Sequence, residues 1–456
     1  MLAALHGIFF IWYQAPDWNA AWTDQGGYRT LGQVLATTGK FTRVPDSPTF
    51  VPEVIRTPAY PLFLAVIYRI FGFGQLQVAL AQTALFVAIS LLVYIVGRRV
   101  VSEKTAWTAA LVTALFPPIP YFGALVMTEV WTTLLLSAAV YVAIRALDDQ
   151  RAVVFASLGV LLGLTALSRP VFVLFPVALA GVGIVVLPLY RTIRRPAPAR
   201  WVVMLGAFAI TMLPWFAYNY ATLGVLTMSP AGGIGRGIWE GSWQATWSGR
   251  LQNELTHVAD DIEDRRELDQ RVREIAAREH LPPEPMLEYV HQWEDIRRIW
   301  TEPIDSTERA RARVIADQEY QRVGLENIRR RSIGHHVKRL ARGVFILWAG
   351  EIPFRYTDIN QLPPIVIRLC WAIQAVVMLA AVAGVIALMR NGQHAEAWIL
   401  AAPILYITAV HFPLLTEARQ SLPATPVVLL LATIGAAALR GRSLALKPQV
   451  HEREHL

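Results

Sequence analysis

The chain has 456 residues, of which 54% are hydrophobic and only 17% charged, with a mean hydropathy of +0.39. That excludes an ordinary soluble domain, and the absence of low-complexity tracts excludes a disordered or fibrous chain. The net charge is +8, but the basic residues cluster beside apolar runs, which points to membrane orientation and away from nucleic acid.

The N-terminal "MLAALHGIFFIWYQAP" is apolar but shorter than the ~20 residues a span needs, and it lacks the basic start of a secretory signal. It reads as a retained first span. Further spans are predicted near 76–97, 105–125, 129–147, 152–168, 171–190, 200–219, 364–389, 395–412 and 421–440, giving an all-α polytopic membrane protein with about ten transmembrane helices. Fifteen tryptophans and fourteen tyrosines suit the two bilayer interfaces. With the N-terminus inside, the inner connections carry Arg98, Arg99 and Lys104, then Arg145 and Arg151, then "YRTIRRPAPAR" (Tyr190 to Arg200), Arg390, and a tail with Arg440, Arg442 and Lys447, as the positive-inside rule requires. Both termini are therefore expected inside. Cys370, the single cysteine, makes neither an internal disulfide nor a zinc site.

The organisation expected is an N-terminal transmembrane module (1–219) with a first outer loop at 14–75, an outer segment at 220–363, and a C-terminal transmembrane module with an inner tail (364–456). Residues 59–71, framed by Pro58 and Pro61, read as an outer juxtamembrane helix too short to span. The outer segment opens Gly-rich and aromatic. It then becomes amphipathic, with Leu251, Leu255, Val258, Ile262, Val272 and Ile275 mostly at three- and four-residue steps. Prolines 282, 283 and 285 punctuate it. Helical runs follow near 285–300 and 306–345, the latter with Asp305 and Glu308 placed like a capping box. The basic and then apolar stretch to about residue 350 suits a helix at the bilayer surface.

No Walker A or H-E-x-x-H pattern is present. "AGGIGRG" (Ala231 to Gly237) has no preceding strand and reads as a flexible turn. Adjacent His335 and His336 point apart on a helix and do not suit a shared metal. What remains is ionisable residues at the outer ends of apolar spans, where burial is costly and function is the default reading. Asp24 in "DQGGY" is either a solvated loop acid or a base at a cavity mouth, with Gly26 and Gly27 allowing a sharp turn and close approach. Arg56 either snorkels to the interface or forks onto a phosphate. Glu129 opens a span, where the helix dipole alone favours an acid. Arg169 sits at an outer turn and needs a negative partner, a phosphate or Glu129. Glu417 and Arg419 lie two apart, a spacing that a helix does not bring face to face. Three arginines at outer turns suggest a cavity for an anionic lipid head group.

Five stretches in order resemble the GT-C superfamily of lipid-phosphate-sugar glycosyltransferases, and within it the protein mannosyltransferase and aminoarabinose transferase group. They are "DQGGYRTLGQVLATTGKF", "RTPAYPLFLAVIYRIFG", "GLTALSRPVFVLFP", "PWFAYNYATLGVLTMSPAGG" and "EARQSLPATPVVLLLA". The resemblance implies transfer of one sugar from a polyprenyl-phosphate donor to an envelope glycan, lipid or protein acceptor, on the extracytoplasmic face of a bacterial cell membrane, by direct displacement with inversion. It implies Asp24 as the catalytic base, Arg56, Arg169 and Arg419 as donor-phosphate contacts, and Tyr28, Tyr60, Glu129, Trp215, Asn219 and Glu417 as substrate lining. For Trp215 and Asn219, packing is as good a reading. No cofactor follows from it, and a divalent metal is left open. The chain departs from the pattern in its short first span, in Gln420 where many relatives carry an aromatic, and in the helical insert that replaces the outer soluble domain of larger relatives. Competing readings are a lipid-linked glycan polymerase or ligase with a diphosphate carrier, a transporter or flippase, and a non-enzymatic scaffold. The mid-membrane broken helices and inverted repeats of a transporter are absent from the sequence.

Overall fold

A computed structural model describes residues 1–18, 23–190, 196–350, 352, 354 and 362–441. The predicted inner-loop arginines 191, 194 and 195 and the tail's Arg442 and Lys447 lie outside the described residues. The described residues form helices joined by turns and irregular segments, without a strand. Among the described residues six helices are long and apolar enough to cross a membrane, at Gln75–Val100, Glu129–Asp148, Pro170–Leu189, Pro198–Leu223, Pro364–Arg390 and Ala418–Leu439. Shorter apolar helices at Leu2–Gln14, Ala59–Phe71, Ala152–Ser168 and His394–Val410 complete the set, and the protein is a multi-pass membrane protein.

In chain order, α1 (Leu2–Gln14) is followed by α2 (Thr23–Thr38) and α3 (Ala59–Phe71), then by α4 (Gln75–Val100). The opening segment around Asp24 is thus the first turn of a helix, whereas the sequence suggested a loop. Gly26 and Gly27 are not among the described glycines with positive φ, so neither makes the sharp turn expected of them. The predicted span 105–125 is broken into α5 (Glu103–Ala114) and the six-residue α6 (Pro118–Gly123). Pro117, Pro118 and Pro120 remove the amide donors that one continuous helix would need. Next come α7 (Glu129–Asp148), α8 (Ala152–Ser168), α9 (Phe175–Gly181) within the span 170–189, and α10 (Pro198–Leu223).

Small residues let the spans approach. A Cβ on Gly159 or Gly163, four apart on α8, would collide with α10 at Met204 and Thr211 respectively. This is the small-xxx-small contact by which membrane helices pack closely. Gly384 and Gly435 do the same between the helices Pro364–Arg390 and Thr425–Leu439. The apolar window of Ala418–Leu439 is 72% buried and that of Pro364–Arg390 only 17%, so the former is central and the latter lies at the lipid perimeter.

Between these modules stand α11 (Ile234–Trp243), α12 (Gly249–Asp261), α13 (Arg265–Arg278), α14 (Glu284–Thr301), α15 (Thr307–Arg330) and α16 (Ile333–Phe345). Helices α11 to α15 share a core of their own, in which Trp239, Trp243, Trp247 and Trp293 pack with Leu255, Val272, Tyr289 and Tyr320. The amphipathic run at 251–275 is two helices, the second capped by Asp264, whose carboxylate accepts from the amides of Arg266 and Glu267. The run expected at 306–345 is also two helices, restarted by Ser332. Its cap is Ser306 and not Asp305; Asp305 pairs with Arg309 at 2.8 Å. α16 exposes Ile333 and Val337 and carries Lys338 and Arg342, as a helix at a bilayer surface should.

Candidate active site

One cavity of about 460 Å³ lies at the end of the bundle opposite Arg98, Arg99, Arg145 and Arg390. It is lined by the start of α2, the irregular approach to α3, the start of α7, the turn after α8, the first half of α11, and the segment 411–420. Of the residues singled out in the sequence, Asp24, Tyr28, Arg56, Glu129, Arg169, Glu417 and Arg419 all line it.

Arg56 is 8% exposed. Glu53 places it, because Glu53 Oε1 accepts from the amides of Ile55 at 2.8 Å and of Arg56 at 3.2 Å. The guanidinium lies over the Tyr28 ring at 4.8 Å and flat against Gly27, where any Cβ would overlap it. Its Nη2 is 3.9 Å from Asp24 Oδ1, while Nε and Nη1 have no hydrogen-bond partner among the described residues. Asp24 Oδ2 is 3.6 Å from Arg419 Nη1, so the carboxylate bridges two guanidiniums while its side chain stays 47% exposed. Burial pushes the Tyr28 phenol up to about 12.

Arg169 meets Glu129 at 3.9 Å, the partnership anticipated for it. Arg169 Nη1 and Glu129 Oε2 have no hydrogen-bond partner among the described residues. Glu417 and Arg419 do meet, contrary to expectation: Arg419 Nε donates to Glu417 Oε2 at 2.9 Å. The reason is local. Glu417 is an extended cap residue and Arg419 lies in the 3-10 turn that follows, so helical spacing does not apply. Gln420 closes the cap, its Oε1 accepting from the Glu417 amide at 3.0 Å. Burial raises the Glu417 carboxyl, but Arg419, Arg169 and Arg236 outweigh it and hold the group below its usual range.

Three expected lining residues stand elsewhere. Tyr60 is fully buried and donates to Gln82 Oε1 at 3.0 Å. Trp215 Nε1 donates to the Met228 carbonyl at 2.6 Å, and Asn219 Nδ2 to the Thr227 carbonyl at 2.8 Å. The last two fasten the turn after α10, which is the packing reading.

Three others were missed. The Gly-rich run read as a flexible turn is the start of α11 and brings Arg236 and Glu240 to the cavity wall. His411 lines it too, 4% exposed, with Nδ1 2.8 Å from the Ile407 carbonyl. That contact puts the proton on Nδ1 and leaves Nε2 an acceptor in the neutral ring. For each a signal existed: an arginine inside a glycine run, an acid four residues on, and an ionisable residue at the end of an apolar span. Among the described residues no group of three or more His, Cys, Asp or Glu side chains could hold a metal ion.

The arrangement offers four arginines against four acids, and the ion pairs fall into two classes. Arg236–Glu240 and Arg419–Glu417 are tight, at 2.8 and 2.9 Å. Arg56–Asp24, Arg169–Glu129 and Arg419–Asp24 are loose, at 3.9, 3.9 and 3.6 Å. Loosely paired guanidiniums at a cavity wall can turn to an incoming oxyanion and form charge-assisted, forked hydrogen bonds.

The family model for dolichyl-phosphate-mannose-protein mannosyltransferases matches residues 55–215. No curated protein sequence matches the chain. Among solved structures, the archaeal oligosaccharyltransferase AglB from Archaeoglobus fulgidus, in complex with an inhibitory peptide and a dolichol-phosphate, is similar at 13% identity and TM-score 0.53, over 96% of this chain and 50% of that one. The Archaeoglobus fulgidus oligosaccharyltransferase in its apo form aligns over the same shares at 13% identity and TM-score 0.52. ArnT from Cupriavidus metallidurans bound to undecaprenyl phosphate aligns at 14% identity over 91% of this chain and 74% of that one, with TM-score 0.36. The chain spans about half the length of the archaeal structures it matches. At these identities the archaeal likeness is one of fold.

Proposed function

We propose that the chain is a membrane glycosyltransferase of the GT-C superfamily and that it moves one sugar from a polyprenyl-phosphate donor to an acceptor hydroxyl on the extracytoplasmic side. The observation that carries this is Asp24, which lies between Arg56 and Arg419 on the wall of a cavity that Arg169 also lines. In support, an archaeal oligosaccharyltransferase of similar fold is seen in complex with a dolichol-phosphate, and the family model that matches is that of dolichyl-phosphate-mannose-protein mannosyltransferases.

The chemistry follows from the loose pairs. The donor phosphate engages Arg56, Arg169 and Arg419, and in doing so frees the Asp24 carboxylate from its two guanidiniums. The acceptor oxygen attacks the anomeric carbon from the face opposite the phosphate. The carbon–oxygen bond to phosphate breaks, the acceptor proton passes to Asp24, and polyprenyl phosphate departs. The three arginines stabilise charge as it grows on the leaving oxygen, which is the kind of interaction that lowers a barrier. Phosphate is already a good leaving group, so no general acid is required. The volume of the cavity, in the range usual for small-molecule sites, supports one sugar unit over a whole lipid-linked glycan. The opposition of the cavity to the basic connections supports the extracytoplasmic placement.

The test is transfer in proteoliposomes supplied with polyprenyl monophosphate sugars and an envelope fraction as acceptor. Wild type should release sugar-free polyprenyl phosphate and Asp24→Asn should not. Equal release by both would remove Asp24 from the role of base, and activity with diphosphate donors alone would favour a polymerase or ligase.

A further inference from the structure

Helix α11 belongs to the insert, yet it forms part of the cavity wall through Gly233, Ile234, Arg236, Gly237 and Glu240. Its position is fixed from two sides, by α15 and by the turn at 415–416. Asp317 on α15 accepts from the amide of Gly235 at 3.1 Å and from that of Arg236 at 3.3 Å. Gly235 and Gly324 leave no room for a Cβ between α11 and α15. Gln244 grips Thr416 through both backbone groups, at 2.8 and 3.0 Å, and the Leu415 amide donates to the Gly237 carbonyl at 2.7 Å.

Within this wall Arg236, unlike Arg56, Arg169 and Arg419, makes no loose ion pair among the described residues. Its Nε donates to Glu240 Oε1 at 2.8 Å, and its guanidinium lies over the rings of Trp293 and Trp300 at 5.1 and 5.7 Å. Turning it toward a phosphate would leave the Glu240 carboxylate, whose side chain is 16% exposed, without its partner. The pair is therefore a fixed, nearly neutral plate that still has hydrogen-bonding capacity. Glu240 Oε2 has no hydrogen-bond partner among the described residues, and the fork of Arg236 has donors beyond Nε. An acceptor and a donor held side by side match vicinal hydroxyls, and they offer a phosphate little.

We propose that Arg236 and Glu240 bind the ring hydroxyls of the donor's sugar, and that Asp317 is the positioning residue that holds them at the cavity wall. This rests on the donor being a polyprenyl phosphosugar. It divides the cavity into a phosphate end at Arg56, Arg169 and Arg419, and a sugar-reading end supplied by the insert.

The experiment uses the full chain in phosphatidylcholine nanodiscs. The probes are farnesyl phosphate and a panel of glycosyl farnesyl phosphodiesters carrying mannose, glucose, galactose or arabinose. Wild type should bind at least one sugar-bearing probe roughly tenfold or more tighter than bare farnesyl phosphate, as hydrogen bonds to charged groups allow. Glu240→Gln and Arg236→Gln should erase that preference while binding bare farnesyl phosphate within about twofold of wild type. Asp317→Ala should reduce the same ratio, and Asp317→Asn, which keeps one acceptor oxygen, should restore part of it. A general loss of structure would lower both affinities and leave the ratio alone. Equal loss of both probes in a Glu240 variant that keeps the wild-type thermal midpoint, or no preference in wild type, would overturn the assignment. An unchanged ratio with a raised acceptor KM would also overturn it, by moving the hydroxyls recognised from donor to acceptor. Failure of wild type to bind farnesyl phosphate at all would sink the polyprenyl-phosphate reading itself, and this assignment with it.

Discussion

Replacing Gly27 by alanine should separate the chemistry of the cavity from the stability of the fold. Gly27 is buried in α2, and an added Cβ would lie 2.6 Å from Arg56 Nη1 and closer still to Cζ and Nη2. The atoms in the way are the far end of a flexible side chain, so the guanidinium yields and the helices stay where they are. Clearing the overlap takes a shift of about 1 Å, and a misplacement of that size in an active site costs on the order of 10²-fold in rate. The backbone gains meanwhile, since alanine is favoured over glycine inside a helix by roughly 0.5–1 kcal/mol. The expected result is a thermal midpoint at or above wild type with kcat lowered about a hundredfold in the reconstituted assay. Gly32→Ala is the control. Its Cβ would lie 2.7 Å from Leu64 Cβ and 3.1 Å from the Tyr68 ring, so it should push α2 off α3 and destabilise by about 1–3 kcal/mol, with activity per folded molecule retained. Wild-type kcat and KM in Gly27→Ala would refute the placement of Arg56 at the reacting phosphate.

Arg169→Ala should weaken the donor lipid more than the acceptor, and equal donor affinity in wild type and variant, read by equilibrium binding, would reassign Arg169 to structure. Glu417 is held below the usual carboxylate value of 4.5, so its pairing contributes stability that is present above that value and is lost as the pH falls through the lower folded one. Thermal midpoints should accordingly drop on acidification in wild type, with a flatter acid limb in Glu417→Gln. Trp239, fully buried in the insert core, should cost about 3–5 kcal/mol on truncation to alanine, seen as early proteolysis within 249–330 before the membrane helices melt.

Much of this was written in the sequence, and the exceptions have physical causes. The six long spans are legible because lipid demands long apolar runs whatever the tertiary contacts, and the run 105–125 broke because it contained three prolines whose missing amides outweigh hydropathy. Asp24, Arg56, Arg169 and Arg419 were legible because charge at the end of an apolar helix is costly enough to need a reason. Arg236 and Glu240 were not, because an i,i+4 pair ahead of an amphipathic helix looks like solvated surface until α15 is packed behind it. Trp215 and Asn219 erred the other way. They sit in a stretch with family likeness, but the Trp215 ring N–H and the Asn219 amide N–H are spent on backbone carbonyls thirteen and eight residues along.

The clamp of Gln244 on Thr416 ties a helix of the insert to the turn that leads into the last span. Anyone trimming the chain to a minimal unit, or grafting a different outer lobe onto its membrane half, would have to keep residues 234–247 with the graft. Cutting at the obvious boundary after α10 would leave the turn at 414–417 unanchored and open the hollow to the side.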